Sequence, residues 1–227
     1  MQTTSHFLGA YLKARPIFLS VLRGKEASLY QPHVPLKHRI LDVGCGDGFF
    51  ARVTFGQRNI DVGIDMEKSR IDEAKISCAY KTLVPYEGYR IPFPNWSFAT
   101  VVVNSVLEHT DDVARVVREI HRVLAPGGTC YATVMAAPWE EHLFGAKLFG
   151  NSYIRWMRKK QVHINLLTHD QWKAVFRKVG FRVHSMTPYM SPRAAMWLDI
   201  LHYISIPSLL AYAINRRWVW WPKGTEL

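Results

Sequence analysis

Cysteine is scarce: the 227 residues hold three, Cys45, Cys78 and Cys130. They stand far apart, with no Cys-x-x-Cys pair and no Cys/His spacing suited to zinc. That pattern excludes a disulfide framework and a structural metal, and it points to a reducing compartment. An assured membrane span is missing as well, because the apolar run at residues 200–214 is interrupted by His202 and Pro207 and falls short of roughly 18 residues. At the start, Lys13, Arg15 and Pro16 break the one apolar stretch, so export is not expected and a cytoplasmic location is. Internal repeats and low-complexity tracts are absent. Acidic residues thin out along the chain: residues 1–150 carry 17 basic and 15 acidic side chains, whereas residues 151–227 carry 12 and 3. Most of the net charge of +11 therefore lies in the last third, which suits nucleic acid, an anionic membrane surface or an acidic acceptor.

What is present begins with Ile-Leu-Asp-Val-Gly-Cys-Gly-Asp-Gly-Phe-Phe at residues 40–50, an apolar strand running into glycines at alternate positions. Gly44, Gly46 and Gly48 allow a sharp turn, keep Cβ atoms off a ligand and expose N–H groups where the next helix starts. The spacing discriminates between ligands. Phe49 stands where the third glycine of a dinucleotide fingerprint would be, and no Lys-Ser or Lys-Thr follows to make a P-loop. The neighbouring Asp42 and Asp47 would repel a polyphosphate and favour a ligand that carries positive charge.

Five elements in order make the chain similar to the class I S-adenosylmethionine (SAM) dependent methyltransferases, in particular the type 11 group with the quinone-biosynthesis enzymes. They are Leu-Asp-Val-Gly-Cys-Gly-Asp-Gly (41–48), Gly-Ile-Asp (63–65), Ile-Pro-Phe-Pro (91–94), Asn-Ser-Val-Leu-Glu-His (104–109) and Arg-Val-Leu-Ala-Pro-Gly-Gly (122–128). The resemblance covers roughly residues 37–186. It departs from the family at Phe98-Ala99, where relatives often show Phe-Asp, and in a tail that does not read as a strand hairpin.

Alternating apolar runs and helical periodicities predict an α/β fold: a doubly wound, mostly parallel sheet of the Rossmann-like SAM methyltransferase type, with a helical, apolar C-terminal extension. Strands are expected at residues 39–43, 60–64, 83–86, 98–104, 129–134 and 182–186. Val113, Val116, Val117, Ile120, Val123 and Leu124, after the start signals Thr110 and Asp111, predict a helix that Pro126-Gly127-Gly128 stops. Thr168 and Gln171 have capping-box spacing ahead of a second helix that Gly180 ends. Phe7, Leu8, Tyr11 and Leu12, then Phe18, Leu19 and Leu22 after Pro16, predict helices near the start. The expected division is 1–36 as a helical cap, 37–187 as the methyltransferase domain and 188–227 as an apolar, aromatic extension, possible membrane contact included.

The resemblance implies SAM as cofactor and assigns its parts. Asp42, Gly44, Cys45, Gly46 and Gly48 form the glycine edge, and Asp65 accepts the ribose hydroxyls. Met66, Glu87 and Gly88 meet the adenine, while Asn104 and Ser105 face the methionine part and the methyl group. Methyl transfer needs alignment more than acid–base chemistry. A hydroxyl acceptor would still need a base, for which His109, Glu108 and His163 are the candidates. The acceptor pocket is expected from the aromatics of residues 138–156, with Arg155, Arg158, Lys159, Lys160 and His163 suited to an anionic headgroup. Arg216, Arg217, Trp218, Trp220, Trp221 and Lys223 mix indoles and cations as at a lipid boundary. The reading is therefore a methyltransferase for a small-molecule or lipid-linked acceptor, peripheral at the inner face of the membrane. RNA as acceptor is the first alternative, weakened by the lack of an added RNA-binding domain; a non-catalytic SAM-binding protein is the second.

Overall fold

The computed structural model describes residues 4–66 and 70–215. Five strands, β1 (Ile40–Val43), β2 (Ile60–Met66), β3 (Tyr80–Tyr86), β4 (Phe98–Asn104) and β5 (Leu124–Thr133), form one sheet in the order β3-β2-β1-β4-β5. All pairings are parallel. Parallel strands need covered faces, and β1 is buried at every position. The strand order reverses between β1 and β4, so the crevice at their carboxyl ends is the topological switch point where such sheets take ligands.

Among the described residues the helices are α1 (Thr4–Leu12), α2 (Ile17–Tyr30), α3 (Phe49–Phe55), α4 (Ile71–Ser77), α5 (Val113–Val123), α6 (Phe144–Gln161, kinked at Gly150), α7 (His169–Val179) and α8 (Pro192–Asn215). By internal contacts the described residues fall into two compact units. The sheet unit takes His33–Pro138 and Arg158–Thr187; the other takes the described parts of Met1–Pro32, Trp139–Met157 and Pro188–Leu227.

In the sheet unit, Leu41, Val43, Val62, Ile64, Val101 and Val103 pack with Val116, Val117 and Ile120 of α5 and with Trp172 and Phe176 of α7. Burying apolar side chains of this size is worth about 1.5–3 kcal/mol each. Both helices have defined starts. The Asp112 carboxylate accepts from the Arg115 N–H, and the capping box of Thr168 and Gln171 is complete. Gly180 ends α7 with φ +111°.

Two expectations fail in this unit. Residues 124–128 do not end α5 in a loop: α5 stops at Val123 and β5 starts at Leu124, taking Pro126-Gly127-Gly128 into the strand. The pairing with β4 shifts register between Phe98 and Thr100, and Gly127 sits at φ +72°, which is how a bulge accommodates these residues. Residues 182–186 form no strand. Val183 and Met186 do pack on the core, so the apolar alternation is satisfied by burial without ladder pairing, and a His169 ring nitrogen lies 2.9 Å from the Met186 carbonyl.

In the helical unit α2 starts directly after Pro16, whose fixed φ suits a helix entry. Leu143, Ala146, Tyr153 and Met157 make a small core with Trp139 and Ile154. The buried Asp199 accepts from the Gly145 N–H at 2.9 Å and the Tyr153 hydroxyl at 2.5 Å. Pro207 does not interrupt α8, which runs 24 residues. Among the described residues no helix is long and apolar enough to cross a membrane. Residues 216–223 lie outside the described residues.

Candidate active site

The glycine loop leaves β1 at its carboxyl end and enters α3. Its three glycines differ. A Cβ on Gly44 would stand 2.3 Å from Val106 Cγ2, and one on Gly48 would stand 2.3 Å from Ser77 Oγ. Gly46, at φ +53°, has nothing within 4 Å of that position. Two of the glycines thus admit neighbouring side chains, while the middle one presents bare backbone to open space.

The loop is held from β2. Gly44 and Cys45 N–H groups donate to the Ile64 carbonyl at 2.8 and 3.0 Å, and the Gly46 N–H donates to Asp65 Oδ2 at 2.6 Å. Asp65 Oδ1 accepts from the Met66 N–H at 2.7 Å. A carboxylate offers about four lone-pair sites, so two N–H donors leave capacity for two hydroxyls. Met66 is 54% exposed, and its sulfur lies 3.5 Å from where a Gly88 Cβ would stand. Two of the three adenine candidates therefore meet; Glu87, the third, is exposed beside them.

The two loop aspartates part company. Asp47 Oδ1 accepts from the Phe49 N–H at 3.0 Å, and Oδ2 pairs with Arg70 at 3.0 Å, so its charge caps α3 and is balanced within the protein. Its expected repulsion of anionic ligands is accordingly reduced. Asp42 is buried below the loop, where the Tyr80 hydroxyl donates to Oδ2 at 2.7 Å. Burial pushes its carboxyl up to about 7, against the pull of Tyr80, with Asp65 adding to the rise. Burial, then Asp42, also raises the Cys45 thiol, which stays protonated. Burial and Asp65 push the Tyr86 hydroxyl up to about 12.

At the end of β4 the Thr133 hydroxyl donates to Asn104 Oδ1 at 2.7 Å, and the Ser105 N–H donates to the Thr133 carbonyl at 3.0 Å. Ser105 is thereby kept at φ +53°, a left-handed conformation unusual for a residue with a Cβ. The following turn brings the three candidate bases together. The buried Glu108 accepts through Oε1 from the Met135 N–H at 3.3 Å, and its carbonyl accepts from the Ile164 and Asn165 N–H groups, each at 2.9 Å. That pairing sets the His163 ring 5.1 Å from the His109 ring, centroid to centroid. Burial, with His109 and Arg158 nearby, lowers His163 to about 4, so its ring is neutral at pH 7. His109 Nδ1 lies 3.0 Å from the Val162 carbonyl, an arrangement that puts the proton of the neutral ring on Nδ1 and leaves Nε2 as the basic nitrogen.

Comparison with known proteins bears on this arrangement. A family model described as a methyltransferase domain matches residues 6–186. The chain belongs to the SAM-dependent methyltransferase family. It is 26% identical over 180 residues to malonyl-[acyl-carrier protein] O-methyltransferase of Legionella pneumophila, covering 76% of this chain and 57% of that protein. The chain thus spans somewhat over half the length of that relative. It is also 26% identical over 201 residues to demethylmenaquinone methyltransferase of Geobacillus kaustophilus, covering 78% and 85%. Among solved structures, phosphoethanolamine N-methyltransferase 2 of Haemonchus contortus in complex with SAM aligns with a TM-score of 0.60 at 17% identity, over 94% of this chain and 47% of that one. At that identity the likeness concerns the fold alone.

The methyltransferase's expected residues mostly gather at one sheet edge, but several partners carry no local sequence signal. Tyr80 opens β3, and Thr133 closes β5. Asn165 donates to the Leu107 and Thr110 carbonyls from 55 or more residues away. The expected acceptor aromatics divide: Tyr153 is buried against Asp199, whereas Phe144, Phe149 and Trp156 are exposed.

Proposed function

We propose that this methyltransferase transfers a methyl group from SAM to a small, apolar or lipid-linked acceptor, with the catalytic fold in residues 37–187 and residues 1–36 and 188–227 as appendages. The observation that carries the reading is the meeting of Gly46 and Asp65, bare backbone and a carboxylate with spare acceptor capacity, at the switch point of the sheet. This is the cradle a ribose with its amino-acid end requires, so the residues present fit the group. SAM supplies a methyl on a sulfonium, a carbon already activated toward displacement. Asp65 would accept the ribose hydroxyls, with Asp42, Gly44, Cys45 and Gly48 shaping the loop around them. Met66, Glu87 and Gly88 would hold the adenine by its face and its edge. Asn104 and Ser105, fixed by Thr133, would orient the methionine end.

For an acidic hydroxyl acceptor, His109 is the base, because Val162 fixes its tautomer and Nε2 remains to take the proton. His163, neutral and buried, keeps a second positive charge away from that ring. Glu108 positions both through its backbone and carboxylate. Relatives named for a malonyl-[acyl-carrier protein] and for demethylmenaquinone support an acceptor borne on a large group. Within the helical unit the exposed Leu148, Phe149, Trp156 and Trp197 support peripheral contact with an anionic membrane.

Turnover of methyl-labelled SAM against quinols, other phenols, acyl thioesters and RNA tests the reading. Label should enter a phenolic or carrier-bound acceptor, and His109→Gln should lower kcat about 10²-fold or more with little change in SAM affinity. Label entering RNA alone would replace the acceptor class.

A further inference from the structure

Away from the glycine edge, the exposed side of α5 and the Tyr89–Arg90 segment line an open cleft of about 600 Å³, a volume typical of small-molecule sites. Its lining is strongly basic. Arg115, Arg118 and Arg122 recur along α5 opposite the buried Val116, Val117 and Ile120, while Arg90 enters from the segment before β4. The cleft holds one carboxylate, Glu119, and Arg122 consumes it: the guanidinium donates to Oε1 at 2.9 Å and to Oε2 at 2.7 Å. That pairing is the main reason Glu119 is held below the usual carboxylate range. Glu119 also accepts from the Ile91 N–H at 2.9 Å, and Arg122 donates to the Phe93 and Ile91 carbonyls at 2.8 and 2.9 Å. Both groups are therefore fixed as part of the wall. Arg90, Arg115 and Arg118 are exposed and form no salt bridge with a described residue. Arg115 lies over the Tyr89 ring, 4.9 Å from its centroid, which orders its guanidinium and leaves its N–H groups for another acceptor.

We propose that this cleft binds a small phosphorylated ligand, with Arg90, Arg115 and Arg118 as its charge contacts. Guanidinium groups match phosphate oxygens two at a time, and three of them around a concavity suit more than one phosphate. Tyr89 and Val179 add apolar surface beside the arginines of this open cleft. None of the lining residues is one assigned to SAM, although Tyr89 directly follows Gly88, so the two can be tested by separate variants.

Calorimetric titration of the full-length protein with inorganic triphosphate at low salt tests the proposal. One site is expected in the wild type, weakened about tenfold or more in Arg115→Gln/Arg118→Gln, with SAM affinity and melting temperature unchanged in that variant. Raising the salt should weaken the site in the wild type. Equal triphosphate affinity in wild type and variant would assign the binding to another basic region and overturn the proposal, as would no binding at all. A lipid headgroup is the other source of the same phosphate chemistry. Flotation with phosphatidylglycerol vesicles that depends on Arg115 and Arg118, without triphosphate binding, would replace the small ligand by a membrane surface.

Discussion

Gly44, Gly46 and Gly48 read alike in the sequence, yet what surrounds each sets a different penalty for a side chain. Gly44→Ala and Gly48→Ala would drive a methyl into Val106 or Ser77 at positive φ, costing about 1–3 kcal/mol of stability by urea unfolding. Gly46→Ala meets no neighbour and should cost about 1–2 kcal/mol for its left-handed φ, while its main effect is expected in SAM affinity. Asp42 makes a pH prediction. Its folded carboxyl titrates near 7 and its unfolded one near 3.9, so the folded state holds the proton more tightly. The stability this group contributes is fully present below about pH 4 and is lost as pH rises through 7. Urea unfolding between pH 4.5 and 8 should therefore show a steeper decline in the wild type than in Asp42→Asn, which cannot ionise. Parallel profiles for the two proteins would contradict the assignment.

Elements were legible wherever local chemistry decided them. The capping box at Thr168 and the Gly180 stop are short-range hydrogen-bonding signals, and the structure uses both, whereas α5 is capped by Asp112, just past the Thr110 and Asp111 signals. Thr168→Ala and Asp112→Ala should each cost about 1 kcal/mol in urea unfolding, without touching SAM affinity. Legibility ended where pairing decided. Pro126-Gly127-Gly128 has the composition of a helix stop, but β4 recruits it as an edge with a register shift. Residues 182–186 have the alternation of a strand, and burial alone satisfies it. The same distinction holds at the site: the glycine loop and Asp65 announce themselves in sequence, whereas Tyr80 and Thr133 matter through contacts made far along the chain.

At the scale of the whole molecule, the basic last third and the exposed aromatics of the helical unit predict weak, salt-sensitive adhesion to anionic lipid. Full-length protein should float with phosphatidylglycerol vesicles at low salt and sink at high salt, since each basic residue near such a surface is worth about 1 kcal/mol and is screened by ions. Protein that stays at the bottom at low salt would remove the membrane from the account while leaving the enzyme intact. The central claim rests on the cofactor and on one carboxylate. Calorimetric titration of SAM into wild type and into folded Asp65→Ala measures it most directly, with NAD as the control ligand. The account predicts one SAM site in the wild type, a loss of about 2–3 kcal/mol in the variant, roughly a hundredfold, and no measurable NAD binding. Wild-type SAM affinity in Asp65→Ala, or NAD bound in preference to SAM, would contradict it.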